Sequence, residues 1–552
     1  MSGGGLMPEL LPFPGGPPPP PPTRADDSRP VYTVAGDLNE DATAAIRMIH
    51  RQSAAGVPLF ERSGLLVEIA HTGEIVILKP DRIRDVLSKD SAWVRVRTRE
   101  TSQGTQAEYR ATYPPRDVCT VIAARTAWGL PDLSGVVSHP WLRCDGPHAG
   151  ELVTEAGYDA LSGTWGTWDP AFGAAVASAA EAAAPEDAVA VLLDLLADFR
   201  FAAPSHQSSA LAAWLTCAAR PGLTGNVPLW LVDASTPGSG KGTICDLVLR
   251  TIYPNPTRRT PWVHDDAELS KALLSLAVAG VERLLWDNVD ATFGGAALDA
   301  AITSAEAGYQ GRILGQTRIV SAPLRPFWAA NGNNVAIKGD MHRRILVTRL
   351  DPGTDRPEER TDYRYPGRLL DVAIERRASV LGCCLRLLRH GIANPGPPIG
   401  SFESWGRVVR GALMALGYPD PWSSGAEVRE RHRSDTLTDV AAAWLSIWGT
   451  SPVAARALGD AAADPPSQSL QADAYAAIAD GLLEVAADRR VRGRVSSKRL
   501  GAWLARMRDR VVRTPDGSTI TIRQVLDKSG RPKRGSGGML WRVERLGTVK
   551  NG

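Results

Sequence analysis

The sequence predicts a multidomain α/β protein built on a parallel-sheet core, and three observations lead to this prediction. The chain has 552 residues, too many for one compact core at about 150 residues per domain. In its central part, short apolar runs of strand length are separated by helical patterns and turn residues, which is typical of a parallel sheet. The segment from Arg489 onwards contains 18 Lys or Arg but only 4 Asp or Glu, whereas the whole chain carries a net charge of only +3. A separate basic domain is therefore expected at the C-terminal end.

The composition changes along the chain divide it into five predicted segments. We expect a disordered, proline-rich leader, an α+β module, a core with its leading helices, a helical domain and a basic domain. Their predicted ranges are 1–30, 31–184, 185–352, 353–460 and 469–552.

Bulk composition excludes several classes of protein. The chain is 43% hydrophobic and 22% charged, and it contains no stretch of about 20 uncharged apolar residues that could span a bilayer. Its six cysteines form no CxxC pairs, so neither a zinc site nor a disulfide framework is expected. We therefore predict a cytoplasmic protein without a membrane partner.

A glycine-rich loop follows the first core strand, VPLWLVDA, and precedes the helical run TICDLVLRTIY. It departs from the phosphate-binding pattern GxxxxGK[ST], because Ser235 replaces the first glycine and an additional glycine follows the lysine. Glycine turns and a helix N-terminus bind phosphate, and the lysine reaches the terminal phosphates. The predicted ATP-binding residues are Pro237, Gly238, Ser239, Gly240, Lys241, Gly242 and Thr243.

The loop leaves two questions open. Either Gly242 lies where the Mg²⁺-binding hydroxyl usually is, or Thr243 supplies that hydroxyl, and we prefer Thr243. The core PGSGKGT also resembles the loop of adenylate kinases, so a nucleotide kinase remains an alternative. A chance glycine turn with a surface lysine is the simpler interpretation, but the flanking strand and helix argue against it.

Polar residues at the ends of later strands extend the predicted site. Asp287 ends the run VERLLWD and is expected to bind Mg²⁺ through water. The glutamate that usually follows is absent, so Asn288 or Asp290 would position the attacking water, or neither has a catalytic role. The third strand ends at Ala330 and is followed by NGNN, in which Asn333 is the preferred partner of the terminal phosphate.

An arginine pair precedes the last core strand, ILVTRL. In this position, the guanidinium of Arg343 or Arg344 could reach the nucleotide of a neighbouring subunit and stabilise transition-state charge. A single arginine pair is more often a solvated surface feature. The ordered series of loop, strand-end aspartate, strand-end asparagine and arginine pair favours the catalytic interpretation.

The run from Trp286 to Pro352 resembles the ATPase domain of superfamily 3-like AAA+ helicases from phage, plasmid and mobile-element replication proteins. The resemblance covers 227–352 well and extends more weakly over 114–422. It implies a P-loop AAA+ core in a ring, hexameric in such proteins, with ATP between subunits and single-stranded DNA in the channel. It also implies DNA contacts from a hairpin over 310–320, through Arg312 or Arg318. No primase active site is recognisable upstream, so priming is not carried over.

The basic C-terminal segment predicts a DNA-binding domain. SSKRLGAWLARMRDR places apolar residues on one helical face and basic residues on the other, and two strand-like runs follow. This pattern is typical of a winged helix, in which a helix enters the major groove of duplex DNA. The candidate contacts are Lys498, Arg499 and Arg506. A basic surface without a nucleic-acid partner is the alternative.

These features support three functional hypotheses. The leading one is an ATP-dependent DNA helicase or translocase acting in replication of a phage or mobile element, with ATP and Mg²⁺ as cofactors. The second is a nucleic-acid-binding AAA+ switch in regulation or defence, with slow ATP turnover because Asn288 replaces the usual base. The third is a nucleotide kinase.

Overall fold

The computed structural model describes residues 29–101, 104–289, 292–312, 319–354, 357–426, 428, 436–463, 471–486, 488, 494–514 and 518–546. Most of the predicted leader, 1–30, therefore lies outside the described residues. The chain divides into two compact units, Met1–Ser424 and Gly425–Gly552. This boundary lies before residue 460, where the sequence analysis ended the helical domain. No helix in the described ranges is both long and apolar enough to cross a membrane.

The first unit begins with strands and helices around one apolar core. Its strands are β1 (Val31–Thr33), β2 (Leu59–Arg62), β3 (Leu65–Ile69), β4 (Ile75–Ile77), β5 (Ala92–Thr101) and β6 (Gly104–Thr112). Its helices are α1 (Leu38–Ala54), α2 (Pro80–Asp90) and α3 (Arg116–Ala124). The strands form two sheets, in the orders β1-β5-β6 and β2-β3-β4. Helix α1 begins at Leu38 because the Asp37 carboxylate accepts the N–H groups of Asn39 and Glu40, both at 2.9 Å.

Short strands and three longer helices connect this part to the central sheet. The strands are β7 (Gly135–Val137), β8 (Trp141–Leu142), β9 (Leu152–Val153), β10 (Gly157–Asp159) and β11 (Thr164–Gly166). The helices are α4 (Pro170–Ala182), α5 (Pro185–Leu196) and α6 (Pro204–Ala219), and each begins with proline, which suits the first helical position. Helix α6 is buried on nearly all sides. It therefore forms part of the core itself.

A parallel five-stranded sheet is the centre of this unit. The strands of this region are β12 (Leu229–Ala234), β13 (Arg259–Thr260), β14 (Arg283–Val289), β15 (Tyr309–Arg312), β16 (Ile319–Ala322), β17 (Phe327–Asn333) and β18 (Ile345–Leu350). The helices are α7 (Lys241–Ile252), α8 (Asp266–Ala279) and α9 (Ala296–Ile302). The sheet order is β13-β14-β17-β12-β18, and every pairing in it is parallel.

The four apolar runs predicted as core strands all lie in this sheet, so the predicted parallel core is confirmed. All residues of β12 are buried, which explains why the run is apolar without alternation. The edge strand β13, which has only two residues, was not predicted from the sequence. β15 and β16 form a separate antiparallel pair.

Helices complete the first unit. They are α10 (Leu369–Glu375), α11 (Arg377–Ala393), α12 (Glu403–Trp405) and α13 (Gly411–Ala415), with a π-helical turn over Gly406–Arg410 between the last two. Helix α11 packs against α4, α5, α6 and α7. The region after the sheet is therefore helical, as predicted, but it packs back onto the helices that precede the sheet.

The second unit combines helices with an antiparallel sheet. Its helices are α14 (Thr436–Trp448), α15 (Ala455–Ala463), α16 (Ala472–Ala486) and α17 (Ser497–Met507). Its strands are β19 (Val453–Ala454), β20 (Val511–Arg513), β21 (Thr519–Gln524), β22 (Arg534–Gly535) and β23 (Gly538–Leu546). Leu437 and Trp444 of α14 share one buried core with Trp503 and Trp541. This shared core is the physical reason that α14 and α15 belong to the C-terminal unit.

Arg62 ties the N-terminal strands to the region around α8. Its buried guanidinium donates hydrogen bonds to main-chain carbonyls, and burial lowers its pKa to about 10, so it stays charged at neutral pH. The acceptors are Leu133 (3.0 Å), Ser134, Ala277 (2.7 Å), Val278 (3.3 Å) and Pro323 (3.2 Å). Two of these carbonyls lie in the last turn of α8, where a cation is favoured.

Replacing Arg62 with methionine should destabilise the first unit strongly. The substitution keeps an apolar stem but leaves several buried carbonyls without a donor, which costs about 3–5 kcal/mol. Urea unfolding followed by tryptophan fluorescence measures this free energy. Arg110→Met is the matched control, because Arg110 pairs with Glu108 and both side chains are about half exposed, so its loss should cost about 1 kcal/mol or less. Equal destabilisation by the two variants would contradict the role assigned to Arg62.

Candidate functional site

The glycine-rich loop connects the buried end of β12 to the first residue of α7. Gly238 and Gly240 have φ values of +74° and +87°, a backbone region that favours glycine. A Cβ at Gly240 would lie 3.3 Å from Cε1 of Phe199. The loop therefore needs glycine at Gly240 for two reasons, its backbone conformation and the nearby ring. The turn also leaves the first N–H groups of α7 without partners within the helix.

Lys241 lies at the start of α7 and reaches the tip of a neighbouring strand. Its Nζ donates to Thr236 O at 3.3 Å, to Ser239 Oγ at 3.1 Å and to Asn333 Oδ1 at 2.6 Å. Partial burial lowers the pKa of Lys241, while nearby Asp233 opposes that shift. The structure thus brings together two of the predicted site residues, Lys241 and Asn333, which are 92 positions apart in sequence.

Asp287 lies at the end of β14, next to a bulge in its pairing with β17. The register shifts between Trp286 and Val289, and Asn288 within the bulge has φ +54°, a conformation that asparagine tolerates. Buried Asn331 bridges the bulge: its Nδ2 donates to Asp287 Oδ1 at 2.7 Å and its Oδ1 accepts the Asn288 N–H at 2.9 Å. The Asn288 side chain itself is exposed.

Asn331 was not predicted as a site residue, since the sequence analysis chose Asn333. The available signal was the spacing, because residues two apart on a strand lie on the same face. The structure assigns the two amides different partners. Asn331 contacts Asp287, and Asn333 contacts Lys241.

Arg259 is a second residue that the sequence analysis missed. From the edge strand β13, its Nη1 contacts Asp287 Oδ1 at 2.8 Å and its Nη2 contacts Asp246 Oδ2 at 2.7 Å. The hydrogen bond to Asp287, followed by the charges of both carboxylates, raises the pKa of Arg259 despite its partial burial. A guanidinium therefore lies against the carboxylate that was predicted to bind a metal ion.

No direct contact between Thr243 and Asp287, the two predicted metal ligands, is recorded among the described residues. A Cβ at Gly242, in the first turn of α7, would lie 3.5 Å from Arg259 Nη1. Thr243 instead lines a cavity beside the loop.

This cavity of about 490 Å³ opens beside Gly238, Ser239 and Gly240. Its volume lies within the range of roughly 300–1,000 Å³ that is usual for small-molecule sites. Apolar and aromatic residues share its walls with basic ones. The lining side chains include Phe199, Arg200, Arg250, Arg360, Tyr363, Tyr365 and Leu370.

Hydrogen bonds and ring contacts hold the aromatic wall of the cavity in place. Asp198 accepts the main-chain N–H groups of Arg364 at 2.6 Å and Tyr365 at 3.3 Å. The Arg360 guanidinium carbon lies 4.7 Å from the ring centre of Tyr363, a cation–π distance. The sequence analysis treated this segment only as the start of a helical region. Its alternating run of tyrosines and arginines was the missed signal.

The arginine pair divides into one internal and one exposed residue. Arg344 forms ion pairs with Asp299 of α9 at 3.2 Å and with Asp340 at 3.6 Å, and its side chain is 18% exposed. Arg343 pairs with Asp340 at 2.7 Å, and its side chain is 63% exposed. Of the two, Arg343 is the one placed to reach another molecule.

The remaining predicted residues belong to other elements or lie outside the described ranges. Asp290 and Arg318 lie outside the described residues. Arg312 is an exposed residue at the end of β15. Lys498, Arg499 and Arg506 are exposed on α17, whose other face buries Leu500, Trp503, Leu504 and Met507 as predicted.

Comparison with known proteins shows weak similarities only. No family model matches the chain, and no curated protein matches it. Among solved structures, the NrS-1 C terminal region, in its A form apo structure, is 12% identical with a TM-score of 0.29, and the match covers 66% of this chain and 78% of that one. A JCV helicase structure is 13% identical with a TM-score of 0.19, covering 41% and 65%. At these TM-scores, the similarity does not establish a shared fold.

Proposed function

We propose that the chain is an ATP-dependent DNA helicase or translocase, with ATP bound at the glycine-rich loop. One observation carries this proposal. The carboxyl ends of β12, β14 and β17 meet at one edge of the parallel sheet, where Lys241 contacts Asn333 and Asp287 contacts Asn331. Ligands of open α/β sheets bind at the carboxyl ends of the strands. This arrangement supports a P-loop AAA+ core.

The loop and the adjoining cavity suit the two parts of a nucleoside triphosphate. The loop N–H groups, the N-terminus of α7 and Lys241 would hold the phosphates. The cavity that begins at Gly240 has room and aromatic walls for the base and sugar. Thr243, which lines the cavity, would supply a hydroxyl ligand to Mg²⁺.

Asp287 would hold Mg²⁺ through water, with Asp246 as a further carboxylate near the same position. Bound there, Mg²⁺ would supply positive charge to the phosphates. The Arg259 guanidinium forms ion pairs with both carboxylates. When Mg²⁺ binds, this guanidinium would have to move away or share the carboxylates with the metal ion. Asn331, whose Nδ2 donates to Asp287 Oδ1 at 2.7 Å, would help to orient that carboxylate.

The DNA-related part of the proposal rests on basic residues at two places. Arg312 would face single-stranded DNA in the channel of a hexameric ring, and the exposed face of α17, with Lys498, Arg499 and Arg506, would contact duplex phosphates. The second unit would then be a winged helix. Replication of a phage or mobile element, in the cytoplasm, is the process that such a motor would serve.

A switch with slow turnover is the second candidate, and the bulge in β14 favours it. The Asn288 amide cannot accept a proton from the attacking water. The main chain at Asn288 is in the left-handed region, with φ +54°. A protein of this kind would bind ATP and assemble on nucleic acid without unwinding it. Phosphate transfer to a nucleoside monophosphate would instead indicate a nucleotide kinase.

ATP turnover and strand displacement, measured together with and without single-stranded DNA, separate the candidates. A motor should show DNA-stimulated turnover and displace a labelled strand, and Lys241→Ala should do neither. Turnover that is slow, unaffected by DNA and not accompanied by displacement would favour the switch. A wild-type protein as inactive as Lys241→Ala in every condition would falsify the motor proposal.

Arg259→Gln should lower the Mg²⁺ concentration that half-saturates ATP turnover. The variant removes a charge that competes for Asp287, and because this ion pair is partly exposed it is worth up to about 1 kcal/mol, or roughly fivefold. A Mg²⁺ titration at fixed ATP measures the effect. Arg258→Gln is the matched control, since this neighbouring side chain is 94% exposed and does not contact Asp287. A raised or unchanged Mg²⁺ requirement in Arg259→Gln would show that Arg259 does not compete with the metal.

A further inference from the structure

The strands β5 and β6 extend beyond their sheet as a two-stranded ribbon. β1 pairs only with Ala92, Trp93 and Val94 of β5. From Arg95 to Thr101, the recorded strand partner of β5 is β6. The outer part of the ribbon is therefore supported by one neighbouring strand, and its described side chains are mostly exposed.

One face of this ribbon carries a row of arginines. Arg95, Arg97 and Arg99 alternate along β5, so their side chains lie on the same face, and consecutive ones are roughly 6.6 Å apart along the strand. Arg110 of β6 lies directly opposite Arg95 and shares that face. All four are exposed. We call these residues the arginine face.

The charges on this face are only partly balanced. Glu108 lies on the same face, directly opposite Arg97, and pairs with Arg110 at 3.1 Å. No ion pair is recorded from Arg95, Arg97 or Arg99 to any described residue. Like charges directly opposite each other in an antiparallel pair are destabilising, and Arg95 faces Arg110 in this way. Several other exposed arginines of the first unit, such as Arg51 and Arg82, have carboxylate partners. The arginine face therefore favours a polyanion as its partner.

We propose that the arginine face binds the phosphates of double-stranded DNA. A two-stranded ribbon fits the major groove, which is about 12 Å wide. Arginine suits phosphate better than lysine because its planar fork can form two hydrogen bonds to one group. The described side chains of the outer ribbon include no large apolar residue that is exposed, which argues against insertion into a membrane. This site lies beyond the motor core and its DNA contacts, and it does not depend on ATP turnover.

The test measures duplex binding by the full chain without nucleotide. Fluorescence anisotropy of a labelled duplex is recorded over a range of salt concentrations for Arg95→Gln/Arg97→Gln/Arg99→Gln. Three lost phosphate contacts should make the slope of log K against log salt about 2.7 less negative, at about 0.9 per contact. Between 50 and 200 mM salt, the wild type should therefore lose roughly 40-fold more affinity than the variant.

A matched control removes the same charge elsewhere on the first unit. Arg47, Arg116 and Arg407 are exposed, and glutamine at all three should leave the slope near the wild-type value. Arg97→Glu tests the site with one substitution and should make the slope less negative by at least about 0.9. Thermal unfolding checks that each variant is folded.

An unchanged slope in both ribbon variants, or an equal change in the control, would overturn the proposal. So would ribbon variants that lose binding to anionic phosphatidylserine vesicles but keep full duplex binding. Repeating the titration in the Lys241→Ala background keeps the result separate from the motor proposal, because ribbon binding should be the same there.

Discussion

Lys241→Ala is expected to lower ATP turnover by at least about 100-fold, the usual cost of removing one group that stabilises developing charge in a protected site. The Lys241 ammonium donates hydrogen bonds to Thr236, Ser239 and Asn333. These contacts keep its ammonium group at the loop. Phosphate oxygens of ATP would replace or join these acceptors of the Lys241 ammonium. Alanine has no positive charge with which to stabilise them. Steady-state phosphate release measures the loss.

Nucleotide binding should weaken in the same variant. A charge-assisted hydrogen bond is worth about 1.5–3 kcal/mol, which corresponds to roughly 10- to 150-fold in Kd. Lys271→Ala provides the control, because this substitution removes the same charge at an exposed position of α8. There Lys271 pairs with Glu268 at 2.7 Å. If Lys241→Ala and Lys271→Ala bind and turn over ATP alike, the loop is not the nucleotide site.

Arg343→Ala is expected to lower turnover by about 1,000-fold or more if its guanidinium completes a neighbouring subunit's site. The residue is exposed, and its recorded ion pair is with Asp340, three positions before it. A side chain in this position is available to a second copy of the chain. Binding of ATP to the isolated subunit should be unchanged, so the defect would appear in turnover and not in Kd.

Arg344→Ala is the comparison, and its expected effect is on stability. Arg344 joins Asp299 of α9 to the segment before β18 in a partly buried ion pair. Its loss should cost about 1–3 kcal/mol, measured by urea unfolding, with a smaller effect on turnover. A large turnover defect in Arg344→Ala, together with an active Arg343→Ala, would show that Arg344 is the catalytic arginine and Arg343 is not.

Mixing two inactive variants tests whether Arg343 acts between subunits. In an equal mixture of Arg343→Ala and Lys241→Ala, roughly a quarter of head-to-tail interfaces would combine an intact Lys241 with an intact Arg343. Turnover should therefore reappear on mixing, up to about a quarter of the wild-type value if interfaces act independently. No recovery in freely exchanging subunits would place Arg343 in its own subunit's site or outside catalysis.

Strand positions in the core were predictable because buried parallel strands leave a strong local signal. The runs that became β12, β14, β17 and β18 are apolar on both faces and are bounded by turn residues. The glycine-rich loop was also predictable, since Gly238 and Gly240 adopt positive φ. Strand β13 was missed because two residues are too short to show a pattern. Arg259, which lies on β13, was missed as well, because its role depends on two carboxylates that are distant in sequence.

The cavity and the boundary of the second unit were missed for the same reason. The cavity forms where the segment around Tyr363 folds back beside the glycine-rich loop, more than 100 positions earlier. The boundary follows from α14, whose helical pattern is the same whichever core it enters. Its buried Trp444 joins the core of the C-terminal sheet, and no local propensity states which partner an apolar face selects.

The sequence by itself determined the elements whose cause is local. These are the apolar core strands, the glycine turn before Lys241, the amphipathic pattern of α17 and the polar residues at the strand ends. Only the tertiary structure decided which of these residues meet. In the structure, Lys241 contacts Asn333, and Asp287 contacts Asn331 and Arg259. Thr243 lines the cavity. Arg343 is exposed, whereas Arg344 forms an ion pair with Asp299. The physical reason is that strand pairing, a single bulge and the direction of one helix turn set these contacts, and each depends on residues distant in the chain.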